Sequence, residues 1–340
     1  MGRSISSRTV AITGAGSGIG LAAALHYASK GWNVGLIGRG ETALTDAQVR
    51  VVAEGARAVV ALADVSDSAA LAQAAATIEA ELGAIDVWVN NAGIGFYGAF
   101  VDVPEDAFRR VVDVNLHGTV NGTRVALALM LPRKRGTIVQ VLSAIAHRGI
   151  PLQSAYSTTK YGLRGFTEAI RAELSHEKSA VHVTMVYPPA VNTPFYSHAG
   201  SVMNASPRPP PPVFQPEMLG EAIYLAGTVK RREWPVTGVA VGLGLASQIA
   251  PGLLDRLSGL VGVGVQQTMR RDVADRRDPN TFAPSISAAR THGPFDSESL
   301  AGSVTWAVTK LPTPLRLGLG LLALGVTHLA RQRWGSRPRR

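Results

Sequence analysis

Tyr156 and Lys160, in the stretch SAYSTTKYGLRGF, stand four residues apart in a segment with helical patterning. Positions i and i+4 share a helix face, so the phenol and the ammonium would lie one above the other. A phenol ordinarily keeps its proton until about pH 10, and an adjacent cation favours the phenolate. A tyrosine adjusted in this way can exchange a proton near neutrality. An isolated Y-x-x-x-K more often marks a half-exposed surface pair, so the rest of the chain must decide. A second candidate is Asn115. In the helical segment that follows Pro104, Phe108, Val111, Val112, Asn115, Leu116 and Thr119 keep the spacing of a buried stripe. A carboxamide within such a stripe is expensive unless it is hydrogen-bonded. Two readings stay open for it: a bond to nearby backbone, or a place beside a site.

These residues need elements to hold them. Short β-branched runs at 9–13, 33–37, 58–62, 85–89, 137–142 and 181–186 alternate with helical stretches near 18–30, 41–54, 67–82, 104–131 and 155–178. That rhythm predicts an α/β fold, a doubly wound parallel sheet of about seven strands with helices on both faces. The run PVTGVAVG, 235–242, is the expected last strand. Residues 1–245 then form one domain, with an irregular loop at 192–215 that contains four consecutive prolines. An irregular extension follows at 246–302, and an apolar, basic tail at 303–340.

Composition narrows the chemistry. Among 340 residues there is no cysteine, which excludes disulfides, thiolate metal sites and cysteine nucleophiles. The eight histidines form no H-E-x-x-H or similar cluster, so no metal site is expected. The net charge of +10 suggests nucleic acid until it is located: seven of the excess charges lie from Lys310 onward, leaving +3 for everything before. With no basic stripe in the body, nucleic-acid binding is not expected. The N-terminus lacks an extended apolar stretch, so no secretory signal is expected and the chain is read as cytoplasmic.

The sequence TVAITGAGSGIG sets glycines directly after a strand and at the start of a helix, where backbone amides and the helix dipole favour an anion such as a pyrophosphate. Gly14, Gly18 and Gly20 fit T-G-x-x-x-G-x-G rather than G-x-G-x-x-G. With this loop, ADV (63–65), NNAG (90–93), Asn115, Ser143 and Tyr156-x-x-x-Lys160 in order, the chain over residues 8–242 resembles a short-chain dehydrogenase/reductase of the Rossmann type. The resemblance implies an oxidoreductase that transfers hydride between a nicotinamide and a carbonyl/alcohol pair, with a lipophilic substrate expected. It makes Tyr156 the acid/base, with Lys160 lowering its pKa and holding the nicotinamide ribose. It further makes Ser143 the group that orients the carbonyl oxygen, and gives Asn115 a water in a proton relay. It assigns cofactor contacts to Thr13, Gly14, Ser17, Gly18, Ile19, Gly20, Asp64, Val65, Asn91, Ala92, Gly93, Val191 and Thr193. Ile145, His147 and Gln153 join Ser143 on the substrate side.

Cofactor choice follows from charge. After the second strand, Gly38 and Arg39 stand where an acid would select NAD, and an arginine there suits the 2′-phosphate of NADP(H). Where the family has P-G before V-x-T, this chain reads YPPAVNTPF, so a local departure is expected at Pro189. In the tail, the apolar run 317–330 is bracketed by Arg316 and Arg331, with Trp334 beyond it. Fourteen residues fall short of the roughly 20 needed to span a bilayer, so attachment of 311–340 to the cytosolic membrane surface is expected. Packing of the tail on the body or on a second copy in a homo-oligomer is the alternative. A dinucleotide-binding sensor or membrane-associated scaffold without chemistry is the competing function.

Overall fold

The computed structural model describes residues 8–311. The six β-branched runs become β1 Thr9–Thr13, β2 Asn33–Gly38, β3 Ala58–Leu62, β4 Ile85–Asn90, β5 Thr137–Val141 and β6 His182–Tyr187, and β7 Glu233–Pro235 completes the central sheet. Their order is β7-β6-β5-β4-β1-β2-β3, with every neighbouring pair parallel. The strand order reverses between β1 and β4, and such a switch point opens a crevice at the carboxyl ends of the strands.

The helices longer than one turn are α1 Gly18–Ser29, α2 Glu41–Ala53, α3 Ser68–Leu82, α4 Glu105–Val112, α5 Gly118–Arg133, α6 Ser154–His176, α7 Pro216–Thr228, α8 Gly238–Ile249, α9 Pro251–Val261 and α10 Val304–Lys310. Local chemistry explains their ends. Asp67 accepts from the amides of Ala69 and Ala70 at 2.9 and 3.0 Å, which caps α3. The same helix stops at Gly83, which takes φ +84°. Two core layers flank the sheet. Leu21, Tyr27, Leu44, Leu219 and Ile223 belong to one, and Leu71, Ile78, Val111, Met130 and Trp88 to the other. α1 and α7 meet backbone to backbone, since a Cβ on Gly220 would lie 2.6 Å from the Ala22 carbonyl oxygen.

A polar knot sits inside the second layer. Trp88 donates to Asn90 Oδ1 at 2.8 Å, and Asn90 Nδ2 donates to Gln140 and Thr123 at 2.9 and 3.1 Å. All four residues are buried, and their mutual pairing offsets the desolvation cost. The knot fixes the end of β4, from which the NNAG turn departs.

The last strand differs from expectation. Only Glu233–Pro235 pairs with β6, and residues 238–249 are helical. Proline ends the ladder because it has no N–H to donate. Val239 and Leu243, four apart, then share one face of α8 toward a cavity, a helical period that a short apolar run does not disclose. The expected boundary at 245/246 therefore falls within α8. The extension does not stand apart: Ser299–Leu300 pairs with Val213–Phe214, which in turn pairs with Ala190–Val191. In α10, Trp306 packs on Trp234 of β7 with ring centroids 6.2 Å apart. Among the described residues no helix is long and apolar enough to cross a membrane. The surface anchor expected in 311–340 lies, except for Leu311, outside the described residues.

Candidate active site

The site begins at the turn after β1. Gly14 takes φ +66° and Gly18 φ +53°, a backbone region that glycine enters at little cost. At Gly20 the constraint is space, because a Cβ would stand 2.2 Å from the Gly14 carbonyl oxygen. Thr13 ties this turn to the next strand's end. Its hydroxyl accepts from the amides of Asn91 and Ala92 at 3.0 and 3.1 Å and donates to Val89 O at 3.2 Å. Asn91 Nδ2 returns bonds to the carbonyls of Thr13 and Gly14 at 2.9 and 3.3 Å. The glycine turn and NNAG are thus one rigid unit, open toward the positive end of α1. The first-turn amides of a helix have no intrahelical acceptor, so this end is a cradle for a pyrophosphate.

Beside the cradle lies a cavity of about 400 Å³. Its walls carry Gly14, Ser17, Gly18, Ile19, Gly20, Asn91, Ala92, Gly93, Val191 and Thr193, together with Ser143, Ile145, Gln153, Tyr156 and Lys160. Residues from the segments that follow β1, β4, β5 and β6, and from α1 and α6, therefore converge on one space. Ser143 follows β5, where its hydroxyl accepts from Ile145 N at 3.3 Å, and it also hydrogen-bonds Tyr156. The Tyr156 ring packs against Phe195 at 5.5 Å, and the Lys160 ammonium sits 5.3 Å from the Tyr156 ring centre. Lys160 is buried and donates to Val141 O at 2.9 Å.

The electrostatics differ from the simple pair expected. Burial pushes the Tyr156 phenol above its ordinary value, with the Ser143 hydrogen bond pulling the other way. Burial also lowers Lys160, to about 8. The ammonium lies over the ring rather than at the phenol oxygen and spends a hydrogen bond on Val141. The expected lowering of the phenol by Lys160 is accordingly not what this geometry gives.

Asn115 lies within a single π-helical turn, Asp113–His117, between α4 and α5. Its carboxamide accepts from Ile94 N at 2.8 Å and donates to Ile94 O and Thr159 Oγ1 at 2.9 and 3.3 Å. The buried stripe thus ends in a backbone clamp that holds the chain just past NNAG. Both amide protons of the side chain are used there. His147 does not face the cavity, contrary to its placement on the substrate side. It stacks on Tyr187 at 4.7 Å and bonds Arg164 at 2.7 Å, drawn there by an aromatic face and a charged partner. The substrate-side wall gains Tyr97, Phe195, Tyr196, Val239 and Leu243, which sequence reasoning missed. Four of these lie in segments whose placement depends on tertiary contacts, and no motif marks them. At the Pro188–Pro189 turn, Pro188 O accepts from Ala144 N at 2.8 Å, and Val191 continues into the small sheet.

Arg39, Asp64 and Val65 line a second, smaller cavity of about 130 Å³ across the cradle. Burial raises the Asp64 carboxyl, but hydrogen bonds from Ser66 and Arg110 prevail and hold it below its ordinary value. Arg39 stands 3.7 Å from the same carboxylate. Two guanidiniums around one carboxylate leave this end of the crevice cationic. Arg110 was not anticipated, since on the sequence it reads as one more polar residue of an amphipathic helix.

Comparisons with known proteins agree with this geometry. Residues 8–202 match the model of the short chain dehydrogenase family. An uncharacterized oxidoreductase, YxnA, of Bacillus subtilis is 34% identical over 257 residues, covering 75% of this chain and 72% of that protein. The probable oxidoreductase EphD of Mycobacterium tuberculosis is 38% identical over 192 residues, 56% of this chain but only 32% of the longer mycobacterial protein. Among solved structures, an actinorhodin polyketide ketoreductase with NADPH superposes with TM-score 0.61 at 29% identity, over 70% of this chain and 97% of that one. An alcohol dehydrogenase of the archaeon Thermococcus sibiricus, complexed with 5-hydroxy-NADP, gives TM-score 0.59 at 25% identity, over 68% and 96%. The sheet order, the glycine cradle and the matched residues together place the chain in the short-chain dehydrogenase family, as an oxidoreductase.

Proposed function

We propose that the protein is an NADP(H)-dependent oxidoreductase that interconverts a carbonyl and an alcohol on a lipophilic substrate, with Tyr156 as acid/base. The observation that carries this reading is the convergence of Ser143, Tyr156 and Lys160 on one cavity that runs into the glycine cradle. The nicotinamide supplies the hydride. Ser143 donates a hydrogen bond to the carbonyl oxygen, where negative charge develops, and Tyr156 delivers the proton. A phenol kept protonated by burial suits that reductive direction, because an alkoxide is the stronger base. Lys160 contributes a cation below the tyrosine ring and reaches the ribose side of the crevice. Asn115 serves as a positioning residue, through its clamp on Ile94.

The apolar wall of Ile145, Ile150, Phe195, Tyr196, Val239 and Leu243 supports a lipophilic substrate. The cationic pair Arg39 and Arg110 supports NADP(H), since a guanidinium fork matches a 2′-phosphate. Leu245, Ile249 and Leu260 on the outer sides of α8 and α9 are 58%, 81% and 80% exposed. This apolar surface near the cavity, with the apolar tail beyond it, supports attachment to a membrane surface. Replacement of Tyr156 by phenylalanine tests the chemistry. The variant should fold and bind NADPH while its ketone turnover falls by at least about a hundredfold, the loss expected for a general acid. Near-normal turnover would remove the mechanism.

A further inference from the structure

The segment 278–293 lies beyond the matched family region and crosses the adenosine side of the crevice. It takes up the groups that a dinucleotide would use. Gly18 N, in the first turn of α1, donates to Arg290 O at 2.8 Å, so a peptide carbonyl stands at the anion-binding end of the helix. Arg39, the residue aimed at a 2′-phosphate, donates to the carbonyls of Asn280 and Phe282 at 2.5 and 3.4 Å. Arg110 donates to Thr281 O at 3.2 Å. At the Arg39 end of the crevice, away from the larger cavity, about 130 Å³ is left beneath the segment, lined on one side by Gly16, Arg39 and Asp64 and on the other by Asn280, Pro284 and Ser287. Binding clefts for small ligands start near 300 Å³, so an adenosine does not fit at this end beneath the segment as it lies.

The segment is a formed element. Asp278 accepts from Ser287 N and Ser287 Oγ at 3.2 and 2.8 Å and from the Ser285 hydroxyl, which folds the strand back on itself. Asn280 N donates to His198 O at 2.8 Å and Asp278 N to Ser197 O at 3.1 Å, which join it to the turn 195–198 beside the substrate cavity.

We propose that residues 278–293 form a strap that latches onto the cofactor cradle through the donors the dinucleotide itself requires, so that cofactor entry and strap release are one event. The proposal rests on the dinucleotide reading of the cradle. Competition for Gly18 N and Arg39 makes the strap a gate on cofactor exchange, and its bonds to 195–198 carry its position to the substrate side. The gate is a property of this chain's extension rather than of the matched region.

The absence of cysteine permits a clean test. A Cβ built on Gly40 lies 3.8 Å from Pro284 Cβ, the mean separation of about 3.8 Å found in disulfides. The full-length G40C/P284C protein, oxidised, has its strap tied to the N-terminus of α2. With NADPH as the probe, the oxidised form should associate at least about tenfold more slowly than the same protein reduced, and dithiothreitol should restore the rate. Rates within twofold of each other in the two redox states would overturn the strap. If neither redox state nor the unmodified protein binds NADPH or NADH, the dinucleotide reading fails and the strap with it. A second measurement uses the unmodified protein and so survives misfolding of the variant. Saturating NADPH should speed tryptic cleavage at Arg276, Arg277 and Arg290; unchanged or slower cleavage overturns the proposal.

Discussion

Replacing Lys160 by methionine should stabilise the protein near neutral pH and destabilise it in alkali. Lys160 is buried, and its pKa falls from 10.5 to about 8 because burial penalises the ammonium. At 1.36 kcal/mol per pH unit, that fall means the charged form costs the folded state about 3 kcal/mol. Methionine has similar length and no charge, so it escapes the penalty. It also abandons Val141 O, which Lys160 Nζ serves at 2.9 Å, at a cost of about 1–3 kcal/mol. The net expectation at about pH 7 is a gain of about 1 kcal/mol. The sign with pH follows from proton counts. Below pH 8 the folded and unfolded chains both carry the proton, and the penalty is fully present. Between about 8 and 10.5 the folded state has lost the proton while the unfolded state keeps it, so the unmodified protein gains stability as pH rises. By about pH 10 it has recovered most of the 3 kcal/mol and overtakes the variant. Urea unfolding of both proteins at the two pH values reads this directly, because every other titration is common to both and cancels. A stability difference that is the same at both pH values would refute the reasoning. Turnover should fall in the variant at every pH, a trade of activity for stability.

Two further outcomes follow from the geometry. Arg39→Asp places a second carboxylate beside Asp64 and should reduce the preference for NADPH over NADH by at least about tenfold, measured as the ratio of dissociation constants; an unchanged ratio would exclude Arg39 as the phosphate contact. Attachment through the tail is tested by flotation on anionic vesicles with the full chain and with a chain ending at Leu311, a cut that spares the Trp306 and Lys310 contacts with Glu221. The full chain should float more strongly than the shortened one, and equal flotation of the two would rule out the tail as the anchor.

Local patterns were legible in the sequence. Six strands and five helical stretches were placed to within a few residues, because burial on both faces writes β-branched runs and burial on one face writes a helical period. In the same way, the residues of the glycine turn and of Ser143-Tyr156-Lys160 proved to share a cavity. What failed depended on orientation or distance along the chain. His147 sits four residues after Ser143, yet its direction is set by Tyr187 and Arg164. The π turn at Asn115 leaves the apolar spacing intact and so goes unseen. Apolar runs of the kind that ends at 242 serve a strand or a helix equally well, and only the Pro235 stop tells them apart. The strap has no periodicity at all, because its partners are mostly backbone carbonyls and amides that any sequence carries.

The strap also has a consequence for biosynthesis. Its bond from Gly18 to Arg290 spans 272 residues, so the two ends leave the ribosome far apart in time. At translation rates of about 5–20 residues per second, the glycine turn waits roughly 14–54 s for the carbonyl that will cover it. During that interval the nascent chain has β1 and β2 in hand and, toward its end, β4 to β6 as well, with the crevice open to solvent. A dinucleotide can therefore be captured by the growing polypeptide without displacing anything. Later, on the finished protein, the proposed gate requires it to compete with the strap. The order in which the chain is made gives the cofactor its easiest entry before the last residues exist.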